Sequence, residues 1–294
     1  MFNLPYIQPL FRPPSEWQSL ILQVTNGCSY NQCTFCDMYT APQKQFRAKK
    51  REDIAEELKA VAATGVSVQK VFLADGDAMT LPTRRLVEIC ELIRQYLPSV
   101  RRISSYCLPR NVKNKSVAEL RTLAELGLTL VYVGCESGDD EVLAGINKGE
   151  TFESSQAALL KLGEAGIKRS VMILNGMGGV ERSHQHAIHS ARLMNATQPE
   201  FLSTLVVSFP LGMARVVAGF DGRFTPLEVP HLIDEQGWLI GELALERTVF
   251  RSDHASNYLV LKGTLGKDKA ALLSQIDKAR AGLVPLRAEW QRGL

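Results

Sequence analysis

The sequence has no stretch that approaches the ~20 consecutive apolar residues needed to cross a bilayer. Its first residues, which include Asn3 and Pro5, lack the basic head and apolar run of a secretory signal. The sequence also has little excess of charge of one sign, because the net charge is only +3, a value that neither requires nor excludes nucleic acid. We therefore expect no membrane partner, and six cysteines in such a chain favour a reducing, cytoplasmic location.

Histidine is another scarce residue type, with five in 294 residues. Three of them, His184, His186 and His189, do not have the spacing of a two-histidine metal site, so we expect packing or solvated roles. The sequence also lacks a Gly-x-Gly-x-x-Gly motif after its first predicted strand. This absence disfavours a nucleotide-binding fold of the Rossmann type.

Three of the six cysteines are concentrated in one short polar stretch, as Cys28, Cys33 and Cys36. Thiolates that converge on a loop bind a soft metal ion or an iron–sulfur cluster. A disulfide would require an oxidising compartment and would leave one of the three unpaired. No fourth cysteine or histidine lies nearby, since the next cysteine is Cys90. A [4Fe–4S] cluster on three thiolates would keep one iron open to a small molecule, and a zinc site completed by a distant histidine is the alternative.

Outside this stretch the sequence alternates between strand-like and helix-like segments. Ser116 followed by Glu119, for example, is a capping box at the start of a helix. Strands are predicted at residues 19–24, 68–73, 102–106, 128–133, 169–174 and 201–207. Helices are predicted at residues 51–63, 83–96, 116–126, 139–147, 151–165, 183–194, 226–245 and 267–281.

Six strands, each followed by a helical connection, favour an α/β protein with a parallel sheet. An eight-unit barrel would leave no sequence for the tail, so we expect a partial (β/α)6 TIM-type barrel with a helical C-terminal extension. A doubly wound sheet is the alternative. The expected domains are an N-terminal arm at residues 1–18, the barrel at residues 19–210, and an extension at residues 211–294 that caps the barrel.

The cysteine stretch, with Phe35 directly before the third cysteine, resembles the signature of the radical S-adenosylmethionine (radical SAM) superfamily. The usual spacing in that superfamily is three residues and then two, whereas four and then two occur here. The resemblance implies an enzyme with a [4Fe–4S] cluster, whose open iron binds the amino and carboxylate groups of S-adenosylmethionine. It also implies oxidoreductase chemistry, in which flavodoxin or ferredoxin supplies an electron and a 5′-deoxyadenosyl radical abstracts hydrogen from a substrate.

The resemblance assigns cofactor contacts to polar and glycine residues at the strand ends. The segment after the second strand would bind the methionine amino group, the pair after the fourth strand the ribose, and the segment after the fifth strand the adenine. Arg169 would pair with the methionine carboxylate if it points into the barrel, and a solvated residue is the alternative. The cofactor residues so assigned are Phe35, Asp75, Gly76, Asp77, Glu136, Ser137, Arg169, Ile173, Gly176 and Gly178.

A second resemblance concerns the subfamily. Residues 132–143 and 147–149 resemble a region shared by oxygen-independent coproporphyrinogen oxidases, methylthiotransferases and elongator-type radical SAM enzymes. Met38 stands where the coproporphyrinogen oxidases carry a fourth cysteine. The additional clusters and domains of the other two groups are not recognisable in this sequence, so it resembles a compact stand-alone member of the superfamily.

The tail contains a run of polar groups, residues 248–259, that we expect to close the barrel mouth, with Phe250 and Leu259 as anchors. A turn is expected at residues 261–266. The candidate substrate contacts are Tyr106, Arg251, His254, Asn257 and Tyr258. A small-molecule substrate is favoured, and modification of tRNA or a peptide and a non-catalytic zinc-binding protein are the alternatives. The macromolecular alternative rests on the basic residues at positions 44–51.

Overall fold

The computed structural model describes residues 4–292. Its strands are β1 (Leu20–Gln23), β2 (Thr25–Asn26), β3 (Arg47–Ala48), β4 (Lys70–Ala74), β5 (Arg102–Cys107), β6 (Leu128–Glu136), β7 (Lys168–Asn175), β8 (Phe201–Val206), β9 (Val249–Ser252) and β10 (Leu261–Thr264). Its α-helices are α1 (Arg51–Ala63), α2 (Thr83–Tyr96), α3 (Val117–Glu125), α4 (Asp140–Gly145), α5 (Phe152–Glu164), α6 (Gly179–Thr197), α7 (Ala214–Gly219), α8 (Val229–Glu242) and α9 (Lys269–Arg280).

The main sheet has eight strands in the order β1-β4-β5-β6-β7-β8-β9-β10, and β2 pairs with β3 in a separate small sheet. Parallel pairing joins β1 to β4, β4 to β5, β5 to β6, β7 to β8 and β8 to β9. β10 runs antiparallel to β9. The strand order follows the chain without the reversal that defines a doubly wound sheet. The expected α/β fold of the partial-barrel type is therefore confirmed.

The chain divides into two compact units. The first contains the described residues up to Asn31, Met38–Val133 and Leu160–Arg169, and the second contains Gln32–Asp37, Gly134–Leu159 and the residues from Ser170 onward. The division by function into arm, barrel and capping extension is a different one and stays a prediction.

The core of the first unit follows from simple hydrophobic patterns. Ile54, Leu58 and Val61 recur at helical spacing in α1 and are buried. The centre of β4 is apolar on both faces and wholly buried, as expected for a parallel strand covered on both sides. Each such side chain contributes roughly 1.5–3 kcal/mol of burial free energy. These elements set the position of the loops that follow them.

The second unit has a core that includes part of the C-terminal extension. Residues of α4, the end of β7, α7 and the segment after α7 form one buried cluster: Val142, Leu143, Ile146, Leu174, Met177, Val216, Phe220 and Phe224. Phe35 of the cysteine stretch packs against this cluster. The extension is thus integrated into the hydrophobic core of its unit.

Two expectations for the tail are corrected. The turn expected at residues 261–266 is mostly strand β10, and the polar run at residues 248–259 begins as strand β9. Within β9, Phe250 and Ser252 are buried while Arg251 is exposed, which is the alternation of a half-buried strand. Four residues are too few for this alternation to stand out among polar neighbours. Within residues 4–292, no helix has both the length and the hydropathy of a membrane span.

Candidate functional site

The cysteine loop, residues 27–39, begins directly after β2. Cys28, Cys33 and Cys36 are partly exposed on it. Cys90 and Cys135 are buried elsewhere, and burial raises the pKa of each of these thiols to about 12. Thiols with such pKa values stay protonated near neutral pH, whereas metal ligation requires thiolates. The three loop cysteines are therefore the ligand candidates.

Asp77 holds the first part of the cysteine loop. Its carboxylate accepts hydrogen bonds from the backbone N–H of Ser29 at 3.0 Å and from the Ser29 hydroxyl. The side chain of Asn111 adds a long contact of 3.5 Å. Burial raises the pKa of Asp77, although the hydrogen bonds from Ser29 oppose this shift. Asp77 thus has a clear structural role, and its contact with S-adenosylmethionine stays a prediction.

Asp75 is fully buried and forms an ion pair with Lys44, whose side chain is equally buried. The same carboxylate oxygen, Oδ2, accepts the backbone N–H of Gly27 at 3.1 Å, at the start of the cysteine loop. Removing one partner of a buried ion pair leaves an uncompensated charge, so the loss of either Lys44 or Asp75 would strongly destabilise the fold. The other oxygen, Oδ1, has no hydrogen-bond partner among residues 4–292. A buried acceptor of this kind suits an ammonium group.

Gly76 lies where the backbone must pass close to the loop. A Cβ atom on this residue would be 2.6 Å from the Tyr39 ring and 3.1 Å from Cβ of Cys28. The first distance is too short for any side chain, so glycine is required here.

Glu136, at the end of β6, is paired with a lysine that sequence reasoning did not assign to the site. Nζ of Lys148 lies 2.9 Å from Oε1 of Glu136, and both side chains are nearly buried. Burial lowers the pKa of Lys148, but the charges of Glu136 and then Cys33 outweigh burial and hold it above its usual value. Lys148 is therefore a fixed positive charge near a candidate ligand. Glu136 as a ribose contact stays a prediction.

Ser137 is fully buried and bonded within the fold. Its hydroxyl lies 2.8 Å from Nδ1 of His186 and accepts the backbone N–H of Asp139 at 2.9 Å. Burial lowers the pKa of His186 to about 4, so the imidazole is neutral near pH 7. Its Nε2–H can then donate to the carbonyl of Leu174 at 3.0 Å. His186 is a packed histidine, and the Ser137 hydroxyl is already used, so its ribose contact stays a prediction.

The glycine-rich segment after β7 is anchored by Glu235 of α8. Gly176 has a positive φ of 88° and donates its N–H to Oε1 of Glu235 at 2.6 Å. Ser183 donates to the other oxygen at 2.6 Å. Burial raises the pKa of Glu235 to about 7, against the effect of these hydrogen bonds. A Cβ on Gly178 would lie 2.9 Å from the carbonyl oxygen of Arg182, so this turn is tightly packed.

Neighbouring residues of β7 face opposite sides of the sheet. Ile173 lines a small space with His186 and Leu239, on the side covered by α6 and α8. Leu174 belongs to the cluster that contacts Phe35. The predicted contact of Ile173 with adenine would therefore be made by its backbone atoms. The side chain of Leu174 lies nearer the cysteine loop than that of Ile173.

The second half of the cysteine loop is held from two sides. Its Thr34 N–H donates to the carbonyl of Ile146 at 2.9 Å, and the Asn147 amide donates to the carbonyl of Gln32 at 3.1 Å. These contacts place Phe35 on the cluster formed by α4 and α7.

Arg215 of α7 contacts the same half of the loop. Its guanidinium donates to the carbonyl of Cys36 at 3.2 Å and to that of Cys33 at 3.5 Å, and it pairs with Asp37. The N–H of Leu211 donates to Asp37 at 3.2 Å. Sequence reasoning missed Arg215, because a single arginine nearly two hundred positions away carries no local signal.

Arg169 is the second residue of β7, at the opposite end of that strand from Gly176. Its guanidinium lies so close to α5 that a Cβ on Gly163 would be 2.6 Å from it. This placement supports packing at the start of the strand, and a contact of Arg169 with the methionine carboxylate stays a prediction. Tyr106 packs edge-on against Phe72 at 5.1 Å and Tyr132 at 6.3 Å, and burial raises its pKa.

The polar residues after β9 have partners within the tail. The Asn257 amide accepts the N–H of Val206 and donates to the carbonyl of Thr204, both at 2.8 Å, and so continues the edge of β8. Tyr258 lies under the Arg292 guanidinium at 3.9 Å. His254 contacts Ser256 at 2.9 Å, and Arg251 is exposed. These bonds explain the polar composition structurally, and substrate contacts by Arg251, His254, Asn257, Tyr258 and Tyr106 stay predictions.

Within residues 4–292, no group of three or more His, Cys, Asp and Glu side chains is assembled closely enough to hold a metal ion. The chemistry of the loop nevertheless fits an iron–sulfur cluster. Its three thiols are partly exposed, and Lys148 and Arg215 bring positive charge to Cys33 and Cys36. Nearby cations favour the thiolate form that ligates iron.

Comparisons relate this arrangement to known proteins. A family model described as the radical SAM superfamily matches residues 22–191. A 4′-phospho-dehydrooxetanocin synthase from Priestia megaterium is 26% identical over 165 residues, which cover 51% of this chain and 22% of that protein. An uncharacterised methyltransferase from Pyrococcus horikoshii is 25% identical over 191 residues, which cover 65% of this chain and 40% of that protein. The chain thus spans less than half the length of these relatives.

Solved structures resemble the fold. Methylornithine synthase (PylB) matches with a TM-score of 0.53 and 18% identity, over 88% of this chain and 68% of its own. Coproporphyrinogen III oxidase (HemN) from Escherichia coli, a radical SAM enzyme, matches with a TM-score of 0.56 and 15% identity, over 76% of this chain and 51% of its own. At these identities the likeness shows a shared fold.

Proposed function

Since the chain belongs to the radical SAM superfamily, we propose that it reductively cleaves S-adenosylmethionine and uses the resulting 5′-deoxyadenosyl radical to abstract hydrogen from a small-molecule substrate. Membership supports an enzyme whose cofactors are a [4Fe–4S] cluster and S-adenosylmethionine. A non-catalytic zinc-binding protein is therefore not proposed.

The observation that carries this proposal is the state of the six cysteines. Three partly exposed thiols lie on one loop, and the other three are buried. Cys28, Cys33 and Cys36 would hold the cluster. When bound, the cluster supplies the electron that breaks the sulfonium carbon–sulfur bond of S-adenosylmethionine.

The residues around the loop have roles that follow from their contacts. Asp77 and Asp75 would hold the start of the loop through Ser29 and Gly27. The unpartnered oxygen of Asp75 would accept the methionine amino group, which is the kind of charge-assisted bond that a buried carboxylate makes well. Lys148 would hold the Glu136 carboxylate in place. These assignments are part of the proposal.

A small molecule is favoured over a macromolecule by two features. α7 and the residues after it pack on Phe35 with apolar side chains, and such a wall excludes water from a radical intermediate. Two of the five residues in the basic run that would support an RNA partner are engaged within the fold, because Lys44 is buried against Asp75 and Lys49 lies 2.6 Å from Glu57. A flavodoxin or ferredoxin as donor and a cytoplasmic location complete the proposal, since thiols persist in that compartment.

Anaerobic reconstitution tests the function. We expect the wild-type protein to bind iron and sulfide and, with dithionite, to convert S-adenosylmethionine to 5′-deoxyadenosine and methionine. Cys33→Ala should lose both the cluster absorbance and the products, because two thiolates hold such a cluster poorly. Cys90→Ala is the matched control, since Cys90 is buried in α2 and should leave both unchanged. Absence of 5′-deoxyadenosine from wild-type protein with a full cluster would contradict the proposal.

A further inference from the structure

The pair of cysteines separated by two residues is bound from outside the loop by one side chain. Inside the turn, the N–H of Cys36 donates to the carbonyl of Cys33 at 3.3 Å. From outside, the Arg215 guanidinium donates to the carbonyls of Cys33 and Cys36 and pairs with the Asp37 carboxylate. Three acceptors on consecutive parts of one turn therefore converge on a single cation.

We propose that Arg215 is a positioning residue for the cluster: it fixes the turn that presents Cys33 and Cys36, and its charge favours the reduced cluster. This inference rests on the proposed function. Arginine suits the task because its planar guanidinium has five donors in a fixed fork. A lysine at this place would keep the charge but could not span the same acceptors.

The helix that carries Arg215 is itself firmly anchored. Val216, on the same helix, and Phe220, directly after it, belong to the buried cluster that contacts Phe35. Gly219 approaches α4 so closely that a Cβ there would lie 2.0 Å from the carbonyl oxygen of Gly145. An isolated ion pair at a surface contributes little, but Arg215 acts from a backbone that the core holds in place directly after it.

The electrostatic part of the proposal follows from charge. Reduction adds one negative charge to the cluster, and a cation hydrogen-bonded to the backbone of two ligands stabilises that charge. Because the side chain of Arg215 is 46% exposed, solvent screens part of this effect. Loss of the charge should therefore make reduction of the cluster harder. An Arg-to-Lys change should keep the midpoint potential of the cluster close to that of the wild type.

The test uses the full-length, reconstituted protein and two measurements besides activity. One is the rate at which a chelator removes iron from the cluster, and the other is the midpoint potential from a dye-mediated titration. We expect Arg215→Gln to lose iron on the order of tenfold faster, the factor that corresponds to one lost hydrogen bond from a charged donor, and to have a more negative potential. Arg215→Lys should also lose iron faster but keep a potential near that of the wild type.

Arg223→Gln is the matched control, because Arg223 lies just after α7, is 76% exposed and pairs with the exposed Asp221. It should match the wild type in both measurements. If Arg215→Gln does not fold, the test rests on Arg215→Lys, which should lose iron faster than the wild type. The inference is overturned if the Arg215 variants have the iron-loss rate and midpoint potential of the wild type, or if the Arg223 variant changes both as much as they do. Either result leaves the proposed function intact as long as the wild-type enzyme cleaves S-adenosylmethionine. Failure of the wild type to bind a cluster overturns both this inference and the proposed function.

Discussion

Cations and carboxylates near the cysteine loop occur as fixed partners. Lys44 pairs with Asp75, Lys148 with Glu136, and each pair is buried. A buried charge is tolerated when a partner and further hydrogen bonds compensate it, as they do for Asp75. These residues therefore have little freedom to move, and rigid surroundings are what a positioned cofactor requires.

Glu235 provides a prediction about pH. Burial raises the pKa of this carboxyl to about 7 in the folded protein, so between its ordinary range and pH 7 the folded state binds more protons than the unfolded state. The contribution of Glu235 to stability is therefore full below about pH 4.5 and is lost as the pH rises toward 7. We expect the free energy of unfolding of Glu235→Gln, relative to wild type, to increase between pH 5 and pH 8 by on the order of 1–3 kcal/mol.

Urea unfolding of the protein without its cluster measures this difference at each pH. Glu242→Gln is the control, because Glu242 is exposed on the same helix. His186 lies 3.8 Å from Glu235 and its lowered pKa changes stability in the opposite direction, but it is present in both proteins and cancels to first order. A difference that is constant with pH would show that Glu235 titrates in its ordinary range.

At the scale of secondary structure, the sequence was informative wherever a pattern is local. The capping box at Ser116 and Glu119 is present, with the Glu119 N–H donating to the Ser116 hydroxyl at 3.2 Å. Helices α1 and α2 begin and end at the predicted residues. Both are long enough for a repeated apolar spacing to be seen. Such signals depend on neighbours in the sequence, so they can be recognised without the fold.

The elements that sequence reasoning missed are short or depend on distant partners. β9 and β10 have four residues each, and α7 has six. β9 is stabilised by pairing with β8, β10 by pairing with β9, and α7 by the cluster around Phe35, and no local pattern encodes these contacts. For the same reason the cysteines could be identified as ligands, but Arg215 and Lys148 could not be identified as their neighbours.

Strand β9 gives a prediction about stability. Phe250 is fully buried and its neighbour Arg251 is exposed on the opposite face. We expect Phe250→Ala to lower the free energy of unfolding by about 3–5 kcal/mol, because it opens a cavity in the core. Arg251→Ala should change it by less than about 0.5 kcal/mol. Chemical denaturation measures both.

The same pair of variants separates packing from substrate binding. If Arg251 contacts the substrate, Arg251→Ala will lower activity while stability stays at the wild-type level. A large loss of stability in the Arg251 variant, or none in the Phe250 variant, would contradict the assignment of β9 as a strand with one buried face.

For the whole molecule, the superfamily match covers residues 22–191, and the C-terminal extension lies outside it. The extension nevertheless supplies Val216, Phe220 and Phe224 to the cluster around Phe35. The residues outside the family match therefore include some that lie next to the cysteine loop. Substrate choice in this protein should accordingly depend on the extension as well as on the barrel.

The size of the substrate can be tested without knowing its identity. A radical SAM enzyme that meets its substrate couples cleavage of S-adenosylmethionine to hydrogen abstraction, so 5′-deoxyadenosine forms faster than in the substrate-free reaction. Because an apolar wall of the chain itself covers Phe35, we expect the low-molecular-weight filtrate of a cell extract to raise this rate several-fold. The retained fraction, which contains proteins and RNA, should leave the rate unchanged, and Cys33→Ala should give no product with either fraction. Stimulation by the retained fraction that is abolished by ribonuclease or protease would instead support a macromolecular substrate.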